Sequence, residues 1–375
     1  MGVKEFTFDP SLTDAFVAFG EERYRDDAAW VPPLAAEVRR QLDPSFAFYG
    51  RPGHDHRRFL AFAGGRPMAR ALASVHPGLR DRDGSPVGAV GFFESTPDDG
   101  AAGEVLAAAV AWLEGRGLRR IWGPLQFDIW HGYRFKTRGF DEERLLGEPD
   151  NKPYYPEQFA RFGFTERRRW NSFPLDGPEG LEELAALGRE DYGRLKARGY
   201  RFELFDTERF DESVATLHHV LSDSFSRFLG FTPVELDDFR EVLGVARHAI
   251  EPRCSLFFYD ETGALAGFGV ALRDLAPAVR AMRGRSGPLA RLAFLRRGRH
   301  ARRLLLYLGG ITRAESAKHS GLAQAAVHHT LCRVRQAGYS DVHATLVAGG
   351  SPMRRHYGPF ASDRRREYTL FELRR

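Results

Sequence analysis

The sequence predicts an α/β (α+β) protein built from two tandem copies of one unit, each a mixed, mainly antiparallel sheet flanked by helices. Three observations predict it. The chain has 375 residues and is 43% hydrophobic, enough for two or three domains with sizeable cores. Short apolar runs bounded by glycine turns alternate with segments of helical periodicity. The order of these elements then occurs a second time.

In the first half, residues 58–75 (RFLAFAGGRPMARALASV) read as strand, Gly-Gly turn, strand, and 87–94 (VGAVGFFE) as a short buried strand. Residues 104–116 (EVLAAAVAWLEGR) place apolar side chains at helical spacing and stop at Gly117. A strand at 118–122 follows, then helix and strand in 154–173 (YYPEQFARFGFTERRRWNSF). The second half answers in the same order: 255–272 (SLFFYDETGALAGFGVAL), 304–311 (LLLYLGGI), 322–336 (LAQAAVHHTLCRVRQ) ending near Gly338, 341–346, and 352–371 (PMRRHYGPFASDRRREYTLF). A repeat this long implies a duplicated domain rather than a solenoid. The expected division is an N-terminal domain over 1–176, a linker helix over 177–198 after the PLDGPEG break, and a C-terminal domain over 199–375.

No apolar run approaches the ~20 residues of a membrane span. The opening MGVKEFTFDPSL has no basic region followed by an apolar stretch, so no secretory signal is expected. Cytoplasmic location follows as the default, with no membrane partner. Cys254 and Cys332 lack CxxC partners, and both read as small buried hydrophobes; no metal is expected. The net charge is +5 and the pI about 9.3, yet only five of 55 basic residues are lysine, which reads as coding bias. Residues 280–303 (RAMRGRSGPLARLAFLRRGRHARR) are different. Their local charge suits a phosphate-bearing ligand or nucleic acid, or else a solvated helix face.

The element order resembles the GCN5-related N-acetyltransferase (GNAT) fold, present as a tandem pair, and the chain is similar to a family of bacterial tandem acetyltransferase-like proteins. The stretches that carry the likeness are WVPPL (30–34), VGFFE (90–94), WGP (122–124), Gly139-Phe140, NKPYY (151–155) with Gly163-Phe164, SDSFSRFLGFTP (222–233) and LRD (272–274). The resemblance implies acyl-CoA, acetyl-CoA or a longer acyl-CoA, as co-substrate and direct transfer to an amine of a small metabolite in a ternary complex.

That chemistry needs a grip on the pyrophosphate, and helix N-termini with small residues provide one. The fold places Arg/Gln-x-x-Gly-x-Gly/Ala between its fourth strand and third helix. Lys318-His319-Ser320-Gly321-Leu322-Ala323 occupies that place, the alternative being a helix start capped by Ser320. The corresponding stretch of the first half, 95–103 (STPDDGAAG), offers Asp98 and Asp99 and no cation. The N-terminal half is therefore expected not to bind coenzyme A, and to serve as scaffold or as one wall of the acceptor cleft.

Gly309, Gly310 and Ile311 lie where the thioester would meet backbone N–H groups. The fold's usual tyrosine, four residues before the Gly-Phe of its last helix, is absent: Phe159 stands there in the first half, Arg354 in the second, with Tyr357 nearby. Tyr357 is the candidate acid and His343 or Ser351 the candidate base or water relay; Tyr357 equally suits a core, and His343 could point outward. Phe225, Phe228 and Phe231 would form an apolar lid over the acceptor, or simply core. Asp274 would orient an amine or cap a turn. The histidine pair in Gly53-His54-Asp55-His56 reads as a surface loop rather than half of a metal site. Two other readings stay open: an aminoacyl-tRNA-dependent peptide-bond-forming transferase, with tRNA on the basic segment, and a non-catalytic scaffold or coenzyme-A-binding protein.

Overall fold

The computed structural model describes residues 2–375 apart from 28–34, 176, 283–284, 286, 352, 354–356 and 362–363. The WVPPL stretch and Arg354 therefore lie outside the described residues.

The first half runs β1 (Gly2–Phe6), α1 (Pro10–Arg23), α2 (Ala35–Leu42), α3 (Ala47–Gly50), β2 (Asp55–Ala63), β3 (Arg66–Arg80), β4 (Pro86–Ser95), α4 (Asp99–Glu114), β5 (Arg120–Gly123), β6 (Phe135–Arg138), α5 (Tyr155–Phe162) and β7 (Thr165–Pro174). Helices α6 (Gly177–Ala186) and α7 (Arg189–Ala197) connect it to the second half. That half runs β8 (Arg201–Leu204), α8 (Phe210–Ser224), α9 (Leu236–Ala246), β9 (Leu256–Tyr259), β10 (Leu265–Arg273), α10 (Ala276–Met282), α11 (Pro288–Gly298), β11 (Arg303–Ile311), α12 (Arg313–Ala317), α13 (Leu322–Gln336), β12 (Asp341–Ala348) and β13 (Arg366–Arg374). The predicted duplication is there: strand, helices, three strands, helix, strand and a final strand, twice. Helices α10 and α11 are an addition of the second half.

Local chemistry accounts for the boundaries. Gly64 and Gly65 both take positive φ, as a two-residue hairpin turn between β2 and β3 requires. Helix α4 starts five residues earlier than periodicity suggests. The Asp98 carboxylate accepts from the N–H groups of Gly100 and Ala101, and this cap draws 99–103 into the helix. Eight α4 residues, among them Val105, Leu106, Val110 and Leu113, are buried, each large one contributing about 1.5–3 kcal/mol.

The strands form one sheet in the order β1-β2-β3-β4-β5-β13-β7-β12-β11-β10-β9-β8, with β6 alongside β13. The two halves exchange their last strands. Strand β13 inserts between β5 and β7, and β7 pairs with β12 of the second half. Each half thus completes its sheet with the other's final strand. In each half the parallel pair leading to it is short: β4 meets β5 only at Gly88 and Ala89, and β11 meets β12 from Arg303 to Leu306. Beyond these pairs the strands part. Both β4 and β11 are bulged there: Phe92 and Phe93 stand opposite Ala71, and Tyr307 is the extra residue opposite Val270 and Ala271.

Candidate active site

The loop from Lys318 to Ala323 folds as expected between β11 and α13, but its charges are engaged. Lys318 Nζ lies 2.7 Å from Asp260 Oδ2 and 2.9 Å from Glu315 Oε2. Glu315 is buried and also accepts from the hydroxyls of Tyr200 and Ser320. Lys318 is its counter-ion, and these carboxylates hold the Lys318 pKa well above the ordinary lysine value. Helix α7 crosses the loop: Arg194 Nη2 donates to the Ser320 carbonyl at 2.7 Å, and the Asp191 carboxylate presses on Gly321. A Cβ at Gly321 would stand 2.5 Å from Asp191 Oδ1, and the residue has φ +84°. The left-handed backbone favours glycine here, and any side chain would also have to displace the Asp191 carboxylate.

At this loop both cations are already engaged, Lys318 by Asp260 and Glu315 and Arg194 by Asp191 and the Ser320 carbonyl. The residues as they stand do not fit coenzyme A phosphates, and no step is derived through them. The geometry also makes a stability prediction. Gly321→Ala is expected to cost about 1–3 kcal/mol in urea unfolding; an unchanged midpoint would show that the loop relaxes out of the left-handed conformation.

The other second-half candidates are dispersed. Gly310 abuts Phe268 of β10 and Ser224 and Phe225 at the end of α8, so its missing side chain is a packing requirement; Gly309 is roomier. Ile311 closes β11 against the core around Tyr200. His343 is buried between Asp341 Oδ1, 2.9 Å from its Nε2, and Arg366, 3.3 Å from its Nδ1. Tyr357 is buried in the core, where loss of solvent pushes its hydroxyl pKa up. Ser351 accepts from the Met353 N–H. Phe225 packs with Phe228 and Phe268, Phe228 with Trp170, and Phe231 with Trp130. Asp274 accepts from the N–H groups of Ala276 and Leu146 and lines a small cavity of about 250 Å³. Cys254 is buried and Cys332 half-buried, both free thiols. Among the described residues no group of three or more His, Cys, Asp or Glu is placed to hold a metal.

None of these candidate residues except Asp274 lines either cavity described here, and the larger cavity lies mainly in the half expected to be scaffold or one wall of the acceptor cleft. It measures about 1140 Å³ and opens where β4 parts from β5. Helices α1 and α2, strand β4, the loop 124–135 and residues 144–151 wall it, and α10 and α11 of the second half border it through Arg280 and Arg297.

Glu94, next to last in β4, lies in its wall. Burial pushes its carboxyl pKa up from the usual range. The Tyr155 hydroxyl donates to Glu94 Oε2 at 2.6 Å, the Tyr24 hydroxyl lies against both, and Arg70 stands 3.7 Å away. The NKPYY stretch builds this arrangement. The Asn151 side chain clamps the backbone of Lys136 through both its atoms, fixing β6. Lys152 pairs with Asp27 and lies over the Tyr24 ring. Tyr154 donates to the Ser95 carbonyl, and Tyr155 reaches Glu94. Asp150, also lining the cavity, has its pKa raised by burial.

Arg134 lines the same cavity and is 9% exposed. Its guanidinium is sandwiched against Tyr133 and Trp170, 3.7 and 4.6 Å from the ring centroids. Its Nε has no hydrogen-bond partner, and no carboxylate pairs with it among the described residues. A buried guanidinium without a counter-ion is costly unless a ligand supplies one.

No family model matches the chain. Among curated proteins it is 24% identical over 273 residues to Protein YghO of Escherichia coli (strain K12), covering 72% of this chain and 68% of that protein. It is likewise 24% identical over 283 residues to the bacterial ceramide synthase of Caulobacter vibrioides (strain NA1000 / CB15N), covering 74% and 72%. Of solved structures, a probable N-acyltransferase from Enterococcus faecalis V583 superposes with a TM-score of 0.54 at 10% identity, over 99% of this chain and 72% of that one. A GCN5-related N-acetyltransferase from Anabaena variabilis ATCC 29413 gives 0.53 at 7%, over 99% and 72%. The chain is a GNAT-fold protein. Its two copies of the fold are joined through exchanged last strands.

Proposed function

We propose that this protein is an acyltransferase whose reaction centre is the first-half cavity and whose acceptor is an amine bearing an anionic group. The observation that carries the reading is Glu94: a half-buried carboxylate with a raised pKa, held by Tyr155 and Arg70 in the wall of a cavity of about 1140 Å³. A carboxylate whose pKa is raised is the stronger base, and in its ionised form it is suited to take a proton from an amine as it attacks an acyl carbonyl. The new bond forms between the amine nitrogen and the carbonyl carbon, Glu94 receives the proton, and the donor's leaving group departs. Arg134 pairs with the acceptor's carboxylate or phosphate. The β4 bulge at Phe92, where φ is +50°, turns backbone out of the ladder beside the reacting carbonyl.

The cavity exceeds the ~300–1,000 Å³ usual for drug-sized ligands, and the likeness to a protein named bacterial ceramide synthase supports an amphiphilic, long-chain substrate. Acyl-CoA is the donor the fold implies. The crowded Lys318 loop does not support it, and the second reading, an aminoacyl-tRNA donor, draws on Arg280 and Arg297 at the cavity's border.

The test is a product screen by mass spectrometry with acyl-CoA donors from acetyl to palmitoyl, and with charged tRNA, against amines with and without an anionic group. With the acceptor found, Arg134→Met should raise its KM about 10- to 100-fold, the loss of one charge-assisted contact, and leave an uncharged analogue unaffected. Equal effects on both acceptors would remove Arg134 from recognition.

A further inference from the structure

Helix α11 (PLARLAFLRRG) has no buried residue. Leu289, Leu292 and Leu295 are 83%, 53% and 57% exposed, the largest cluster of exposed large apolar side chains in the described chain. At 100° per residue these leucines share one face with Arg291, Arg296 and, at the cap, Arg299. The inward face carries Ala290 and Ala293, with Phe294 packed on the core of the second half. Charge is equally one-sided. Residues 275–302 contain eight arginines and no acidic residue. Among the described residues, Arg291, Arg296, Arg297, Arg299 and Arg302 have no ion pair.

Leucines held in water beside unpaired arginines have one environment that suits both. The apolar groups enter the acyl region of a bilayer while the guanidinium groups, at the ends of their apolar stems, stay among lipid phosphates. RNA would satisfy the arginines and leave the leucines in water. We infer that α11 is a membrane-surface helix that docks the protein on an anionic bilayer. Sequence alone suggested no membrane partner because no segment can span one, and no described helix does; surface docking needs only one helix face. Arg297, on the inward side of α11, and Arg280 of α10 also line the large cavity, so its border adjoins the docked helix. The inference stands on α11 and does not require the acyl-transfer reading.

The experiment is co-sedimentation of the full chain with vesicles of phosphatidylcholine alone and of phosphatidylcholine mixed with phosphatidylglycerol. Wild type is expected to bind only the anionic vesicles, less strongly as salt is raised. A triple variant, Leu289→Ser, Leu292→Ser and Leu295→Ser, keeps every charge and removes no buried contact. It should melt as wild type does and bind on the order of tenfold or more weakly. Failure of wild type to sediment with anionic vesicles would overturn the inference. So would a serine variant that binds as tightly as wild type, and tight binding of both proteins to an RNA duplex would then assign the arginines to nucleic acid.

Discussion

Glu94→Gln is expected to lower kcat/KM for acyl transfer by about 10²- to 10⁴-fold while leaving the fold intact, because glutamine keeps the shape and accepts no proton. Its effect on stability has two opposed parts. A carboxyl whose pKa is raised by folding holds its proton more tightly in the native state than in the unfolded one. Stability therefore falls as pH rises from the unfolded value through the folded one, and the neutral amide escapes that loss. Against that gain, buried Arg70 loses its one carboxylate partner among the described residues and keeps only the Phe16 carbonyl, so the variant should melt close to wild type at neutral pH. Wild-type activity should climb with pH as Glu94 ionises, and this acid limb should vanish from the residual activity of the variant. A dead variant that also melts early would point to a structural role instead.

The second large effect is at the join between the halves. Arg366 of β13 and Glu148 are both buried, with Nε 2.9 Å from Oε2, and the Tyr368 hydroxyl donates to the same oxygen at 2.6 Å. Arg366 also contacts His343, which is tied through Asp341 to Arg303 and so to Asp274. This chain of charges links the exchanged strand β13 to β11 and β12. Glu148→Ala leaves Arg366 buried and unpaired and should cost about 3–5 kcal/mol in denaturant unfolding. Replacing both partners with leucine and methionine should recover most of that loss. A single mutant with wild-type stability would mean that water reaches the pair.

The repeat was legible because local chemistry writes it: the glycine turns, the apolar periods and the stops at Gly117 and Gly338. The strand exchange was not, since nothing in β7 or β13 distinguishes its own half's sheet from the other's. The pairing is decided by contacts such as Trp122 with Glu372, 250 positions apart. The Lys318 loop shows the same limit. Its spacing suits a phosphate, but Asp260 and Asp191, far away in sequence, occupy it. His343 was picked out as a histidine on a strand; one partner, Asp341, stands two residues before it on β12, and the other, Arg366, comes from the exchanged strand β13. The first-half site did leave a signal. Glu94 and Arg70 are single charges in otherwise apolar strands, VGAVGFFE and ARALASV, and buried strands admit such residues when they pair or act. Glu94 in VGFFE and Tyr155 in NKPYY stood in stretches that carry the resemblance, Arg70 did not, and only their convergence beside one cavity brought the three together.

The measurement that tests the central claim most directly is the acyl-transfer rate of Glu94→Gln beside Tyr357→Phe, on the donor and acceptor that the product screen yields. If the first-half cavity is the reaction centre, Glu94→Gln is inactive and Tyr357→Phe turns over at the wild-type rate. An active Glu94→Gln with an inactive Tyr357→Phe would move the chemistry to the second half and contradict the account.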